Sequence, residues 1–414
     1  MVAIALAAVP LTGCTGESGS TGNPVPGTPA TSTTPAPDLS HLDVGAFGGD
    51  PLSEPANSDE SYGRIIEAAR LGEAVVNPYD IGKPYAFGHP SLLPTPQDTT
   101  GILADAISPV LTNRGMITGY TVGGADTVDP SNFRPIIGKS KSLRITVLRL
   151  PDEAAARAAA QEIDTADAAV SADNVTVPLA GHADARAHWR PQVPTLAATV
   201  ARGSYVVTLF ITDATTDLAA MTAVATATFD AQLPRLGTFS ATPADKLATL
   251  AFDTDGMLRR MVPAQAGKWP YPAITNLDRG TTAGYGGVHA ATGVVYGPGG
   301  ADQWTRDINN TAADRPVVDR MGVVDDRWLL RLQDPARARQ YFDARGAEFA
   351  TTDEKIAGPA GVDDAAFFRS RDPRFEFYYC QVMDGRYVAN VNATDQKSVL
   401  QTAAAQYALL VKAR

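Results

Sequence analysis

"LRLPDEAAARAAAQEI" at residues 148–163 and "LRLQDPARARQYFDAR" at residues 330–345 read as two copies of one unit, related by a shift of 182 residues. The same shift brings "ARGSYVVTLFITD" at 201–213 onto "MDGRYVANVNATD" at 383–395. Between them "GHADARAHW" at 181–189 matches "GVDDAAFFR" at 361–369 after a shift of 180, as two compensating indels would give. One short agreement is common in Ala-rich sequence, but three in order and near register make duplication the better reading.

Each copy reads the same way. Leu-Arg-Leu closes a strand, and a Pro and Asp pair, Pro151 with Asp152 or Asp334 with Pro335, starts a helix. Strands are expected near 183–189 and 364–369, then a hairpin with Gly203 or Gly385 at its tip, since glycine accepts positive φ without strain. Alternation places Tyr205, Val207, Leu209 and Ile211 on one strand face. Asp213 and Asp395 are the expected caps of the final helices, which bury Leu218, Met221, Ala225 and Phe229 in one copy and Leu400, Ala403, Tyr407 and Val411 in the other. The expected fold class is α+β: two related domains, each an antiparallel sheet with helices packed on one face. A helix over "SYGRIIEAARLGEAV" is expected ahead of the first copy. The boundary is placed near residues 237–243, where "LPRLGTFSATPAD" breaks the helical pattern, giving domains at 45–238 and 239–414.

Upstream, residues 1–13 are apolar and end in small residues, the shape of a secretory signal. They are too few to span a bilayer, which takes about 20 apolar residues. "LTGC", ending at Cys14, resembles the lipobox of bacterial lipoproteins, in which the cysteine thiol is lipidated and becomes the new amino terminus. No Lys or Arg precedes the apolar run, so the start is expected to lie inside a longer signal. Residues 14–44, rich in Gly, Ser, Thr and Pro, bury too little apolar area to fold and read as a tether.

The chain carries 35 basic and 45 acidic residues, a net charge of −10, with no basic run. That balance disfavours nucleic-acid binding and electrostatic docking on anionic lipid. With Cys14 assigned to the anchor, Cys380 is the one remaining thiol and no internal disulfide is expected. Signatures of chemistry fail one by one. Gly138-Lys139-Ser140 lacks the opening glycine of a phosphate loop, and Gly284, Gly286 and Gly287 lack the third glycine of a dinucleotide fingerprint. Asp253, Asp255 and Gly256 suggest a calcium loop that no glutamate closes. His41, His89, His182, His188 and His289 show no ligand spacing; His182 and His188 could share a strand face, but the second copy has Val362 and Phe368 there, which favours a surface or packing role. Cys380, within "FEFYYCQVM", reads as a small apolar core group. Trp189, Trp269, Trp304 and Trp328 could line a cleft, although Trp189 and Trp328 fall in strands and read more simply as core. No catalytic residue, metal ligand or cofactor site is assigned. The dispersed carboxylates Asp253, Asp255, Asp325 and Asp326 are where an unrecognised site would draw from.

The segments "LTGC", "RIIEAARLGEAVVNPYDIG", "MLRRMVPAQAGKWPYPAI" and the two repeat units together resemble a family of uncharacterised actinobacterial cell-surface lipoproteins. More loosely, the repeat unit is similar to the extracellular sensor modules of mycobacterial receptor kinases, a fold-level likeness. The resemblance implies an extracytoplasmic protein held to the membrane through Cys14, with an envelope ligand or protein as partner and no catalytic residues. Two alternatives stand beside ligand binding: an envelope hydrolase with a dispersed site, and a purely structural partner of other surface proteins.

Overall fold

The computed structural model describes residues 37–82, 84–85, 90–129, 134–277, 288–306, 315–362, 364–372 and 376–414. Cys14 with its signal and most of its tether, His89, Gly284, Gly286, Gly287 and the side chain of His289 lie outside the described residues.

In the first half, α1 (Glu60–Leu71), α2 (Pro78–Ile81), β1 (Pro90–Leu93), α3 (Ile107–Asn113), β2 (Thr118–Ala125), β3 (Ser142–Arg149), α4 (Glu153–Ala168), β4 (Val175–Thr176), β5 (Arg186–Arg190), β6 (Thr195–Arg202), β7 (Tyr205–Thr212) and α5 (Leu218–Thr238) follow in order. After a two-stranded ribbon of β8 (Ala273–Leu277) and β9 (Val288–Thr292), the second half runs through β10 (Val294–Tyr296), α6 (Pro298–Thr305), β11 (Val318–Val324), β12 (Arg327–Leu332), α7 (Pro335–Thr352), β13 (Glu354–Ile356), β14 (Ala365–Arg369), β15 (Tyr378–Asp384), β16 (Tyr387–Ala393) and α8 (Gln396–Lys412). The sheets have orders β1-β2-β3-β7-β6-β5-β4 and β10-β11-β12-β16-β15-β14-β13, with the same connections. Neighbouring strands are antiparallel throughout both. The α+β class and the repeated antiparallel sheet stand as the sequence implied.

Local chemistry explains the ends of these elements. Asp152 and Asp334 each accept the backbone N–H three residues on at 2.8 Å, capping α4 and α7, and Asp395 caps α8 from Ser398 N at 2.9 Å. Asp213 caps no helix. It accepts from Thr215 N and faces Lys141, while Asp217 caps α5, because a further turn intervenes before the helix starts. The paired hairpins β6–β7 and β15–β16 turn at Gly203 and Gly385, with φ of +55° and +54°, where a side chain would be strained. Helix α5 continues through Pro234 to Thr238, past the point where the sequence pattern breaks.

The helices do not share one face of the sheet. Val206 of β7 packs with Leu148 and with Ala156, Ala159 and Ile163 of α4, whereas Val207, Leu209 and Ile211 pack with Met221, Ala225 and Phe229 of α5. Alternate residues of a strand point to opposite faces, so α4 and α5 sandwich the sheet. In the second half Val388 packs with Tyr341 and Phe342 of α7, and Ala389 and Val391 pack with Val399, Ala403 and Tyr407 of α8. The core on the α5 side of the first sheet runs without a break into the core on the α7 side of the second.

Polar ties reinforce that shared core. Tyr120 Oη donates to Gln303 Oε1 at 2.5 Å, and Gln303 Nε2 donates to Val75 O at 2.8 Å, joining α6 to the first half. Glu67 of α1, fully buried, accepts from Arg149 at 2.8 Å and from Thr242 N at 2.9 Å. Gly63 lies so close to Leu247 that a Cβ there would come within 2.0 Å of the Leu247 carbonyl oxygen. The segment following α5 is thus packed against α1. Among the described residues no helix is long and apolar enough to cross a membrane.

Candidate functional site

On the α4 side of the first sheet, the strand register lays out two rows. Arg144, Phe210, Ala197 and His188 stand side by side across β3, β7, β6 and β5, and one pleat further Thr146, Thr208 and Thr199 do the same. Alanine and threonines are too small to reach α4 as it passes overhead, and a cleft of about 270 Å³ is left between this floor and a roof of Ile102, Leu103, Ala104 and Ile107. Thr146 Oγ1 is bonded to Thr121 Oγ1 at 2.8 Å. Thr199 and Thr208, each residue 6% exposed, line the cleft as polar residues of its floor.

His188 closes one side. Its Nδ1 lies 3.2 Å from Asp164 Oδ1 and its Nε2 3.5 Å from Asp167 Oδ2, both on α4. Burial acts to lower the imidazole's pKa, but the hydrogen bonds to Asp164 and Asp167 and their charges together outweigh it and raise the value to about 9. The ring is therefore an imidazolium at neutral pH, clamped between two carboxylates. Arg144 Nη1 donates to Ile102 O at 2.6 Å and holds the roof, while Arg190 Nε reaches Asn174 Oδ1 at 3.4 Å, at the mouth.

The second half has the same floor and fills it. Tyr379 stands where the first half has Ala197, paired with Phe368 as Ala197 is with His188. Trp328, Asn390 and Gln381 replace the row of Thr146, Thr208 and Thr199. From α7, Phe349 occupies the position of Asp167 by the 182-residue shift. Phe349, Phe368 and Tyr379 form one aromatic cluster, with ring centroids 4.8 to 5.5 Å apart, and Tyr379 Oη donates to Asp353 Oδ2 at 2.6 Å. One scaffold thus presents an open cleft in one copy and a packed core in the other.

Other sequence candidates fall elsewhere. His182 sits in the turn before β5, 3.1 Å from Asp230 and edge-on to Phe229, and does not share the strand of His188. Asp253 accepts from Leu258 N and Arg259 N and so ties down a 3₁₀ turn; burial, the larger effect, still raises its carboxyl pKa. Asp255 pairs with Arg320 at 2.9 Å and Arg331 at 3.0 Å, so its carboxylate faces cations. Asp325 takes φ of +54° at the β11–β12 turn, and burial pushes the neighbouring Asp326 carboxyl up. Gly138 and Ser140 form a turn in which Ser140 Oγ accepts from Ile136 N. Cys380 points away from the α7 side into the α8 core, where burial holds its thiol well above the ordinary pKa. Trp189 packs against the core of the α5 side and also contributes to the lining of the cleft.

Asp164, Asp167, Arg190, Thr199 and Thr208 were not singled out from sequence. The signal lay in the repeat itself: where one copy is aromatic and the other small or charged, the two have diverged in what they enclose.

Comparison with known families bears on the whole chain. Residues 54–252 match the N-terminal and residues 257–413 the C-terminal domain of unknown function DUF7373. The chain belongs to the DUF7373 family. That family's description carries no activity. No curated protein matches the chain. A solved structure, the extracellular domain of PknH from Mycobacterium tuberculosis, is similar at 15% identity over 44% of this chain and 98% of that one, with a TM-score of 0.28. A likeness at that level fixes no function here.

Proposed function

We propose that this DUF7373 chain is an extracytoplasmic lipoprotein, anchored through Cys14, whose first half binds a small envelope ligand in the α4 cleft without chemical turnover. The observation that carries the binding reading is the contrast between the copies: Ala197 and three threonines keep open a space that Tyr379, Phe368, Phe349 and Trp328 fill in the other. A fold that needed only stability would fill both. Thr199 and Thr208 add polar groups to an otherwise largely apolar lining, as small-molecule sites do. Catalysis is disfavoured because both ring nitrogens of His188 face carboxylates and the ring keeps its proton to about pH 9, which leaves it no lone pair to act as a base.

The location rests on the sequence alone, on "LTGC" and the tether after it. Cys14→Ala, expressed with its full upstream signal, is expected to abolish lipid labelling; labelling that persists would remove the anchor. For the cleft, a low-molecular-mass extract of the cell envelope is expected to raise the melting temperature of the wild-type chain and to leave that of Ala197→Tyr unmoved. An equal shift in both would place the ligand elsewhere.

A further inference from the structure

We infer that the cleft takes a small amphipathic carboxylate, its anionic head at Arg190 and its apolar body under Ile102 and Ile107; this rests on the cleft being the ligand site. Arg190 follows His188 by two residues in β5 and so shares its face, at the mouth of the cleft. Its one side-chain hydrogen bond among the described residues goes to the neutral amide of Asn174, and it has no carboxylate partner there. The carboxylates nearby, Asp164 and Asp167, are turned to His188. The imidazolium is thus matched by its own carboxylates, and Arg190 brings a further positive charge to the cleft, in a chain whose total is −10. One surplus charge suits a monoanion. A cation would face two guanidiniums, and a dianionic phosphate would be undercompensated. A guanidinium meets a carboxylate with two parallel hydrogen bonds, which gives the head a defined seat.

The rest of the ligand is defined by the walls. Ile102, Leu103, Ile107, Ala197 and Phe210 offer an apolar channel, and the hydroxyls of Thr199 and Thr208 can meet a polar atom along the body. At about 270 Å³ the space suits a small acid rather than a long acyl chain or a peptide.

The test titrates the full chain calorimetrically with phenylbutyrate, phenylbutyramide and phenylbutylamine, which share one apolar body and differ in charge. The acid is expected to bind roughly tenfold or more tighter than the amide and the amine. Arg190→Gln is expected to bring the acid down to the level of the amide while leaving the amide unchanged, and Ala197→Tyr to abolish binding of all three. If the amide or amine binds as tightly as the acid and Ala197→Tyr still abolishes it, the cleft is the site and the carboxylate inference falls. Acid binding that survives Ala197→Tyr, or no binding by any of the three, overturns the inference together with the reading of the cleft.

Discussion

His188 holds a charge inside the protein, and two carboxylates of α4, Asp164 and Asp167, stabilise it there. Its folded pKa, about 9, lies above the unfolded value of 6.5, so the protonated form is favoured by folding. The stabilisation is fully present below pH 6.5 and is lost as pH rises through 9. His188→Gln is therefore expected to lower stability most at pH 6, by up to about 3 kcal/mol, and to match the wild type more closely at pH 10. Melting temperatures of both proteins measured from pH 6 to 10 check this; a difference that does not shrink with rising pH would show that the ring is held by packing alone. At the corresponding place in the second half the chain uses Phe368, and no titration enters.

At the scale of elements, the two halves keep the same strands and helices while differing in how tightly one helix closes on its sheet. Tyr379 plugs the space under α7, so Tyr379→Ala is expected to cost about 3–5 kcal/mol in a urea melt, by leaving a cavity and removing one of the donors to Asp353. A loss below about 1 kcal/mol would mean the aromatic cluster is not packed as described. Gly63→Ala in α1 is expected to destabilise by at least about 2 kcal/mol, since its methyl would run into Leu247 backbone, which cannot swing aside as a side chain can. Much of this level was legible in the sequence. The Leu-Arg-Leu strands, the caps Asp152, Asp334 and Asp395, and the hairpins at Gly203 and Gly385 followed from turn chemistry and periodicity that act within a few residues. The second helix layer was not read, although β7 carries large apolar residues on both faces, Val206 and Phe210 on one and Val207, Leu209 and Ile211 on the other, as suits a strand covered on both sides. The cleft was invisible for a different reason. It consists of small residues from three strands, and only register brings Ala197, Thr199 and Thr208 together.

Across the whole molecule, the two DUF7373 modules share a core and polar ties at α6. Apolar side chains from the α5 side of the first sheet continue into those around α7, and Gln303 and Glu73 tie α6 to the first half. One cooperative unfolding transition is expected for residues 38–414, and calorimetry resolving two well-separated transitions would contradict the shared core. Glu67 joins α1, β3 and the segment after α5, so Glu67→Ala is expected to cost about 3–5 kcal/mol by stranding the buried Arg149, and to do so within that single transition. Such a rigid frame suits a preformed site in one half supported by a solid second half. The most direct test is native mass spectrometry of the full chain isolated from its own membranes, wild type beside Ala197→Tyr. A small acid retained by the wild type and absent from a variant of unchanged melting temperature is the expected result; the same adduct on both proteins, or none on either, would contradict the cleft as the binding site.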